Sequence, residues 1–224
     1  MTPPKHAARP AASKSSAKSS SKSSSSATGR PAPAKSRRSR LAPLAEADFT
    51  AEQKALLAAI RSGPRGKDTP IEGPFAVYLR APAYGDLAQA LGGHCRLGTS
   101  VPKRLSELAI LMTARHWRAQ YEWHAHAPIA EEAGLPAATI RALRAGRRPA
   151  KLRADEAAVF DFVTELYRSR RVSDPTYRRI HKVLGEAGAI ELTGILGYYA
   201  LVAMTLNVFR MPLPAGAALP FREP

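Results

Sequence analysis

The sequence contains a single cysteine, Cys95, among its 224 residues. One thiol cannot form an internal disulfide, so nothing requires an oxidising compartment, and a cytoplasmic location is expected. The N-terminal region lacks the apolar segment of a secretory signal, so secretion is not expected.

Aromatic residues make up only 7% of the chain. None is interleaved with the N-terminal basic residues, as base stacking would require, so no specific nucleic-acid partner is expected.

Acidic residues are absent from the first 43 positions, which hold five Lys and five Arg. Ten of the 34 basic residues therefore lie there, and the rest of the chain, at +6 of the total +16, is only mildly basic. Residues 1–40 also contain no Leu, Ile, Val, Phe, Trp or Tyr. Such a segment cannot bury enough apolar surface to fold alone. We predict a disordered basic tail over residues 1–40 and one folded domain over residues 41–224.

No convincing strand pattern occurs, whereas helical patterns recur along the folded part, so the sequence predicts an all-α domain. Thr50 and Gln53 form a capping box that opens one helix. A second helix is expected from Pro82 to Leu97, with Leu87, Leu91 and Cys95 on one side. The longest uncharged run, Leu192 to Phe209, is interrupted by polar residues. It is interpreted as a helix of the core rather than as a membrane span.

The candidate chemistry lies between residues 107 and 134. Glu107 occupies an apolar helical run, and a buried lone charge is expensive, so this acid must be paired or used. Glu122 and His126 follow four residues apart, which places them on one face of a helix. A cluster of two carboxyl groups and an imidazole at the mouth of a helical core is a plausible acid–base site.

Several segments in order resemble the carboxymuconolactone decarboxylase family, which includes the alkylhydroperoxidase-D-like proteins. The resemblance covers about Phe49 to Phe221. The matching segments are Arg104-x-x-Glu107, Tyr121-Glu122-Trp123-x-x-His126, Ala133-Gly134-Leu135, the nine residues from Glu191 to Tyr199, Leu206-Asn207 and Pro212-Leu213-Pro214. The resemblance implies a compact alkylhydroperoxidase-D-like helical fold and assembly into trimers or hexamers.

The peroxidase branch of that family carries Cys-x-x-Cys-x-x-x-His with a Glu upstream. Here Ala119 and Glu122 occupy the two cysteine positions, His126 matches the histidine and Glu107 matches the upstream acid. A dithiol reductant needs one thiolate to attack and a second thiol to resolve the product. Because Cys95 cannot replace both, the sequence argues against the dithiol peroxidase reaction. Peroxidase activity that uses Cys95 with an external thiol stays open as an alternative.

The decarboxylase branch implies a lyase acting on a small carboxylated lactone or ring, without a cofactor. In that reading His126 is the general acid/base. Glu107 orients the imidazole or polarises it, and Glu122 is a second acid/base. The substrate carboxylate requires a cation, for which Arg104 and Arg115 are the candidates.

Other readings of the same residues remain. Glu107 could simply pair with Arg104 or Arg115, Glu122 could be solvated, and the protein could be a non-catalytic oligomeric scaffold. His124, His126, Glu122 and His116 are ligand types that zinc accepts. However, His124 and His126 are two positions apart on a helix and point in roughly opposite directions. No metal is therefore expected.

Overall fold

The structure, a computed structural model, describes residues 38–222. The predicted basic tail lies outside the described residues except for its last three residues, 38–40. The Arg40 backbone amide donates to the Phe209 carbonyl at 3.1 Å, and its guanidinium donates to the Val208 carbonyl at 2.8 Å. The folded part thus begins by docking on the C-terminus of the last long helix.

The predicted all-α class is confirmed: residues 38–222 form α-helices and no β-strand. A short 3₁₀ helix at Glu46–Asp48 precedes them. The helices are α1 (Ala51–Ser62), α2 (Gly73–Tyr78), α3 (Pro82–Leu97), α4 (Lys103–Trp117), α5 (Gln120–Glu132), α6 (Ala137–Arg144), α7 (Ala154–Ser169) and α8 (Asp174–Phe209).

The helix ends follow sequence signals in several places. The predicted capping box of α1 is present: the Thr50 hydroxyl accepts from the Gln53 amide, and the Gln53 side chain accepts from the Thr50 amide. In α8, Gly185 has a non-helical backbone (φ 69°, ψ −177°), so the element is two helices joined by a kink. Glycine tolerates this positive φ without a Cβ clash.

The apolar residues form two clusters. The larger cluster is built mainly from α4, α5, α7 and α8, and α4 lies at its centre because it packs against all three of the others. The smaller cluster joins α1, α2 and α3 around Leu57, Ile60 and Tyr78. Burial of large apolar side chains such as these stabilises each cluster by about 1.5–3 kcal/mol per side chain.

Helix α3 has its predicted bounds, but its apolar side is not one buried face. Cys95 is buried, whereas Leu87 and Leu91 are 74% and 50% exposed. The buried face of α3 consists mostly of small residues, which let neighbouring helices approach closely: Gly85, Ala88, Gly92 and Gly93.

Helix α8 is the one described helix that is long and apolar enough to cross a membrane by length and composition. In its most apolar window 44% of the residues are buried inside the protein. The side chains of Leu192, Ile195 and Leu206 belong to the larger core cluster. One face of α8 therefore acts as a core helix, as the sequence predicts.

Candidate active site

Glu107 of α4 and His126 of α5 meet in the interior of the larger cluster. His126 Nδ1 lies 2.8 Å from Glu107 Oε2, and the two residues are only 7% and 1% exposed. The α4–α5 packing brings them together across 19 positions of sequence. The acid on the apolar helix is thus paired with the imidazole, and not with Arg104 or Arg115.

The pairing orients the imidazole. An ionised carboxylate only accepts hydrogen bonds, so with Glu107 ionised His126 carries its hydrogen on Nδ1 and leaves Nε2 as the basic nitrogen. The ring of Tyr199 meets the imidazole edge to face, with centroids 5.0 Å apart. Because two neighbours fix the ring, Nε2 has one defined direction.

Glu122 is a buried acid of a different kind. It lies one helical turn before His126 on α5 and is 2% exposed. Neither carboxyl oxygen has a hydrogen-bond partner within the described part of the chain. Burial raises the pKa of the Glu122 carboxyl well above its usual range. A carboxyl group kept protonated in this way can donate a proton near neutral pH.

Glu122 and His126 both line a cavity of about 350 Å³. That volume suits a small organic molecule. The cavity lies where the two core clusters meet, because the 65–75 segment covers one side while α5 and α8 form the other. Its α8 wall consists of Tyr198, Tyr199, Val202 and Leu206. One cavity therefore presents both a proton donor and an oriented imidazole.

Two cations and two acids also line the cavity. The cations are Arg65, which donates to the Gln89 carbonyl at 3.0 Å and lies over the Phe75 ring, and Arg96 at the end of α3. The acids are Asp68 and Glu72, and Glu72 accepts from the Tyr121 hydroxyl at 3.3 Å. Burial lowers the pKa of Arg65, which is the effect expected of a cation removed from water.

Two glycines permit the close contacts that shape this wall. A Cβ on Gly92 would lie 2.0 Å from the Tyr198 hydroxyl oxygen and 2.8 Å from Arg65 Nη2. A Cβ on Gly73, where φ is 53°, would lie 2.4 Å from the Tyr121 ring. Any other residue at either position would displace an aromatic side chain that lines the cavity.

The two arginines that the sequence proposes for substrate binding lie elsewhere. Arg104 makes ion pairs with Asp155, at 2.6 Å, and with the buried Glu156 on α7. Arg115 lies near the C-terminus of α4, over the ring of Phe221. Neither lines the cavity of His126. Both arginines are close to Glu107 along α4, which made them candidates. However, the side chain of Arg104 projects toward α7 and that of Arg115 toward the C-terminal segment.

Cys95 is buried, with 3% of its surface exposed, and it is not part of the cavity wall. Burial, and then the charge of Glu191, raise the pKa of its thiol. A thiol held in the protonated form is a weak nucleophile. Ala119, which the resemblance aligns with the first cysteine of the peroxidase motif, is fully buried at the start of α5.

The possible metal ligands and the ring of Trp123 set two further limits on the site. Within residues 38–222, no three His, Cys, Asp or Glu side chains are grouped so that they could hold a metal. Trp123 does not plug the cavity, because its ring packs against Phe221 with centroids 5.2 Å apart.

Sequence reasoning missed the cationic part of the cavity wall. Arg65 comes from a loop and Arg96 from the end of α3, and neither lies within a recognisable spacing of Glu122 or His126. Tyr198 and Tyr199, also on the cavity wall, fall within the Glu191–Tyr199 segment of the resemblance, so that segment was the available signal for them. No protein-family model matches the chain, and no curated protein matches it significantly.

Proposed function

We propose that the protein is a cofactor-independent acid–base lyase that decarboxylates a small carboxylated lactone or ring. The observation that carries the proposal is the 2.8 Å contact between His126 and Glu107 beside the buried Glu122 in one cavity. The family resemblance to carboxymuconolactone decarboxylases supplies the reaction class. The geometry supplies an acid, an oriented base and a volume that suits such a substrate.

The reaction needs an anchor for the substrate carboxylate. Arg65 and Arg96 are the cations on the cavity wall, and we assign this role to them instead of Arg104 and Arg115. Arginine binds carboxylates through paired N–H donors. Asp68 and Glu72 on the same wall disfavour a second anionic group near the rim, so a substrate with one carboxylate at that end fits best.

Decarboxylation breaks the bond between the ring carbon and the carboxylate carbon. The electron pair of that bond passes into a conjugated carbonyl of the substrate, and carbon dioxide leaves. The resulting carbon then takes up one proton. Glu122 is the donor that the environment favours, because its carboxyl is kept protonated by burial. His126 Nε2 removes or returns the proton that an accompanying shift of a double bond requires.

Glu107 is a positioning residue in this scheme. It holds the His126 tautomer through Nδ1 and stabilises the imidazolium that forms when Nε2 takes a proton. The chemistry is proton transfer at both residues, so no cofactor or metal is assigned to the site.

The thiol-dependent peroxidase and the non-catalytic scaffold are weaker candidates. Cys95 is buried, its thiol pKa is raised, and it does not line the cavity. A scaffold has no use for a buried carboxyl without a hydrogen-bond partner, since such a group costs stability.

We also propose a homo-oligomer, as the family resemblance implies. Support comes from one outward face of α8, on which Ile190, Met204 and Val208 are 65%, 41% and 51% exposed. Large exposed apolar side chains on one helical face are typical of a surface that another subunit covers.

The test is a screen of carboxylated lactones for carbon dioxide release, repeated with His126→Asn. Proton transfer by a positioned side chain contributes about 10²- to 10⁴-fold, so turnover should fall by that range. His124→Asn is the matched control, because His124 lies on the same helix but outside the cavity. Equal turnover by wild type and His126→Asn would remove the imidazole from the mechanism.

A further inference from the structure

A second cleft, of about 510 Å³, lies between the C-terminal part of α4 and α7. Leu143 of α6 and the 146–147 turn complete its lining. Its wall contains Arg115, Arg147, Arg168 and His116. No Asp or Glu is among its lining residues. The cleft is therefore cationic, unlike the candidate active site, whose two arginines are accompanied by three acidic residues, Asp68, Glu72 and Glu122.

The three arginines of this cleft have few acidic neighbours, although Arg168 interacts electrostatically with Glu165 on the same helix. Within residues 38–222 none of them forms an ion pair. The acids of α7 are engaged mainly with other partners. Asp155 and Glu156 pair with Arg104, Asp161 pairs with Arg148 and Arg179, and Glu165 accepts from the Ser173 amide at 2.8 Å. The positive charge is thus available to a ligand.

Arg115 is the most deeply placed of the three. Its Nε is buried and has no hydrogen-bond partner within the described part of the chain. Its guanidinium lies 5.5 Å from the Phe221 ring centroid, and a Cβ on Gly146 would come within 2.9 Å of its Nη2. Because Gly146 has a φ of 69° and no side chain, the turn leaves the guanidinium room. The arginine is held in place while one donor is unused.

The remaining wall is largely aromatic and apolar. The rings of His116 and Tyr167 stack with centroids 4.4 Å apart at an angle of 15°, and Phe160 and Met112 also line the cleft. Tyr167 is fixed by a 2.8 Å hydrogen bond between its hydroxyl and that of Thr113. Such a wall accommodates the apolar or ring-shaped body of a ligand, while the arginines bind its charged end.

We propose that this cleft binds a small molecule that carries a phosphate group on a ring-shaped or apolar body. Guanidinium groups bind phosphate oxygens with paired N–H donors, and three of them match a dianionic, tetrahedral group better than a single carboxylate. The volume exceeds what an inorganic phosphate fills, so the body of the ligand occupies the aromatic part. Arg115 thus belongs to an anion site, but not to that of His126.

Phenyl phosphate is a suitable probe for calorimetric titration of the full chain at about 0.15 M salt, where long-range attraction to surface charge is screened. Phenol and inorganic phosphate are the two partial ligands. We expect phenyl phosphate to bind with 1:1 stoichiometry and more tightly than either part. Arg115→Gln, Arg147→Gln and Arg168→Gln should each weaken binding about tenfold, the loss of one charge-assisted contact.

Arg141→Gln is the matched control, because Arg141 is an exposed arginine of α6 outside the cleft. It should bind phenyl phosphate like wild type, and so should His126→Asn, which alters the other cavity. Thermal melts of every variant establish that it is folded. Three results would overturn the proposal: no binding of phenyl phosphate, equal weakening by Arg141→Gln, or weakening by His126→Asn but not by Arg115→Gln. Tight binding of a single-stranded oligonucleotide, without binding of phenyl phosphate, would assign the arginines to nucleic acid instead.

Discussion

His126 Nδ1 lies 2.8 Å from Glu107 Oε2, and this contact joins two helices in a place that water scarcely reaches. A buried pair of this kind is held by its geometry, because either partner alone would be an uncompensated polar group. In the proposed mechanism the same contact selects the nitrogen that faces the cavity. The stability of this region and the proposed reaction therefore depend on the same hydrogen bond. Variants of Glu107 can separate its effect on folding from its effect on kcat.

Glu107→Gln keeps the shape of the side chain and its hydrogen bond to the imidazole, but removes the negative charge. We expect the fold to persist and kcat to fall about 10²-fold, because the imidazolium loses its counter-charge. The pH profile of kcat should also shift, which a purely structural role would not produce. Kinetics across pH on the lactone found in the screen would measure both. A variant with wild-type kcat and pH profile would show that Glu107 does not act through His126.

Glu122 should make stability depend on pH in the direction opposite to that of an ion-paired acid. Its pKa is raised above the ordinary value of 4.5, so the folded state binds its proton more tightly than the unfolded state. This contribution is fully present below pH 4.5 and is lost as pH rises toward the folded-state pKa. The loss is about 1.4 kcal/mol per pH unit over that interval.

Glu122→Gln should remove this dependence, because an amide stays neutral at every pH. Urea unfolding between pH 4 and pH 8 should give a flatter profile and higher relative stability at the upper end. Glu132→Gln, at an exposed site on the same helix, is the control and should follow wild type. Identical profiles for Glu122→Gln and wild type would mean that the carboxyl ionises in the folded protein as freely as in water.

Arg104 should matter for stability and not for substrate binding. Arg104→Met leaves the buried Glu156 without its main partner, and breaking a buried ion pair by removing one member costs about 3–5 kcal/mol. We expect a lower midpoint in urea and an unchanged KM for the molecules that remain folded. A raised KM with unchanged stability would return Arg104 to the substrate site.

Even the smallest substitution of Gly92, to Ala, should lower stability and weaken substrate binding. In Gly92→Ala the new methyl would clash with the Tyr198 hydroxyl, 2.0 Å away, and overpacking of this kind costs about 1–3 kcal/mol. Because Arg65 would be displaced as well, KM should rise. Gly194→Ala is the control: nothing lies within 4 Å of its Cβ position, and the change should stabilise the helix by up to about 1 kcal/mol. The proposed cavity wall would need revision if both variants melted alike.

The outward face of α8 predicts the oligomeric state. Ile190→Glu places a charge among the exposed apolar side chains, so assembly should weaken while the fold of each subunit persists. Sedimentation velocity of wild type and variant would measure this. A monomeric wild type would refute the homo-oligomer, and a wild type that floats with lipid vesicles would assign the α8 face to a membrane surface.

The sequence predicted local structure well, because helical period, capping residues and Gly or Pro breaks act over a few residues. The bounds of α3 and the capping box at Thr50 are examples. It also predicted that Glu107 needs a partner, from the cost of burying a lone charge. The spacing on α5 predicted that Glu122 and His126 share a face.

The residues that the sequence could not place depend on packing between distant segments. Arg104 pairs with acids about fifty positions away in preference to Glu107, three positions away. Leu87 and Leu91 are exposed because small residues form the buried side of α3. Arg65 reaches the cavity from a loop, and loops carry no periodic signal. In each case the deciding neighbour is remote in sequence.

Because the cavity lies at the junction of the two apolar clusters, proton transfer and substrate recognition are assigned to different segments of the chain. In the proposed mechanism proton transfer belongs to α5 and the orientation of its imidazole to α4, both in the larger cluster, while residues 65–75 would contact the substrate from the other side. Exchange of that short loop would therefore change which compound is accepted and leave the proton-handling groups intact. New selectivity could evolve here at the rim, without rebuilding the centre.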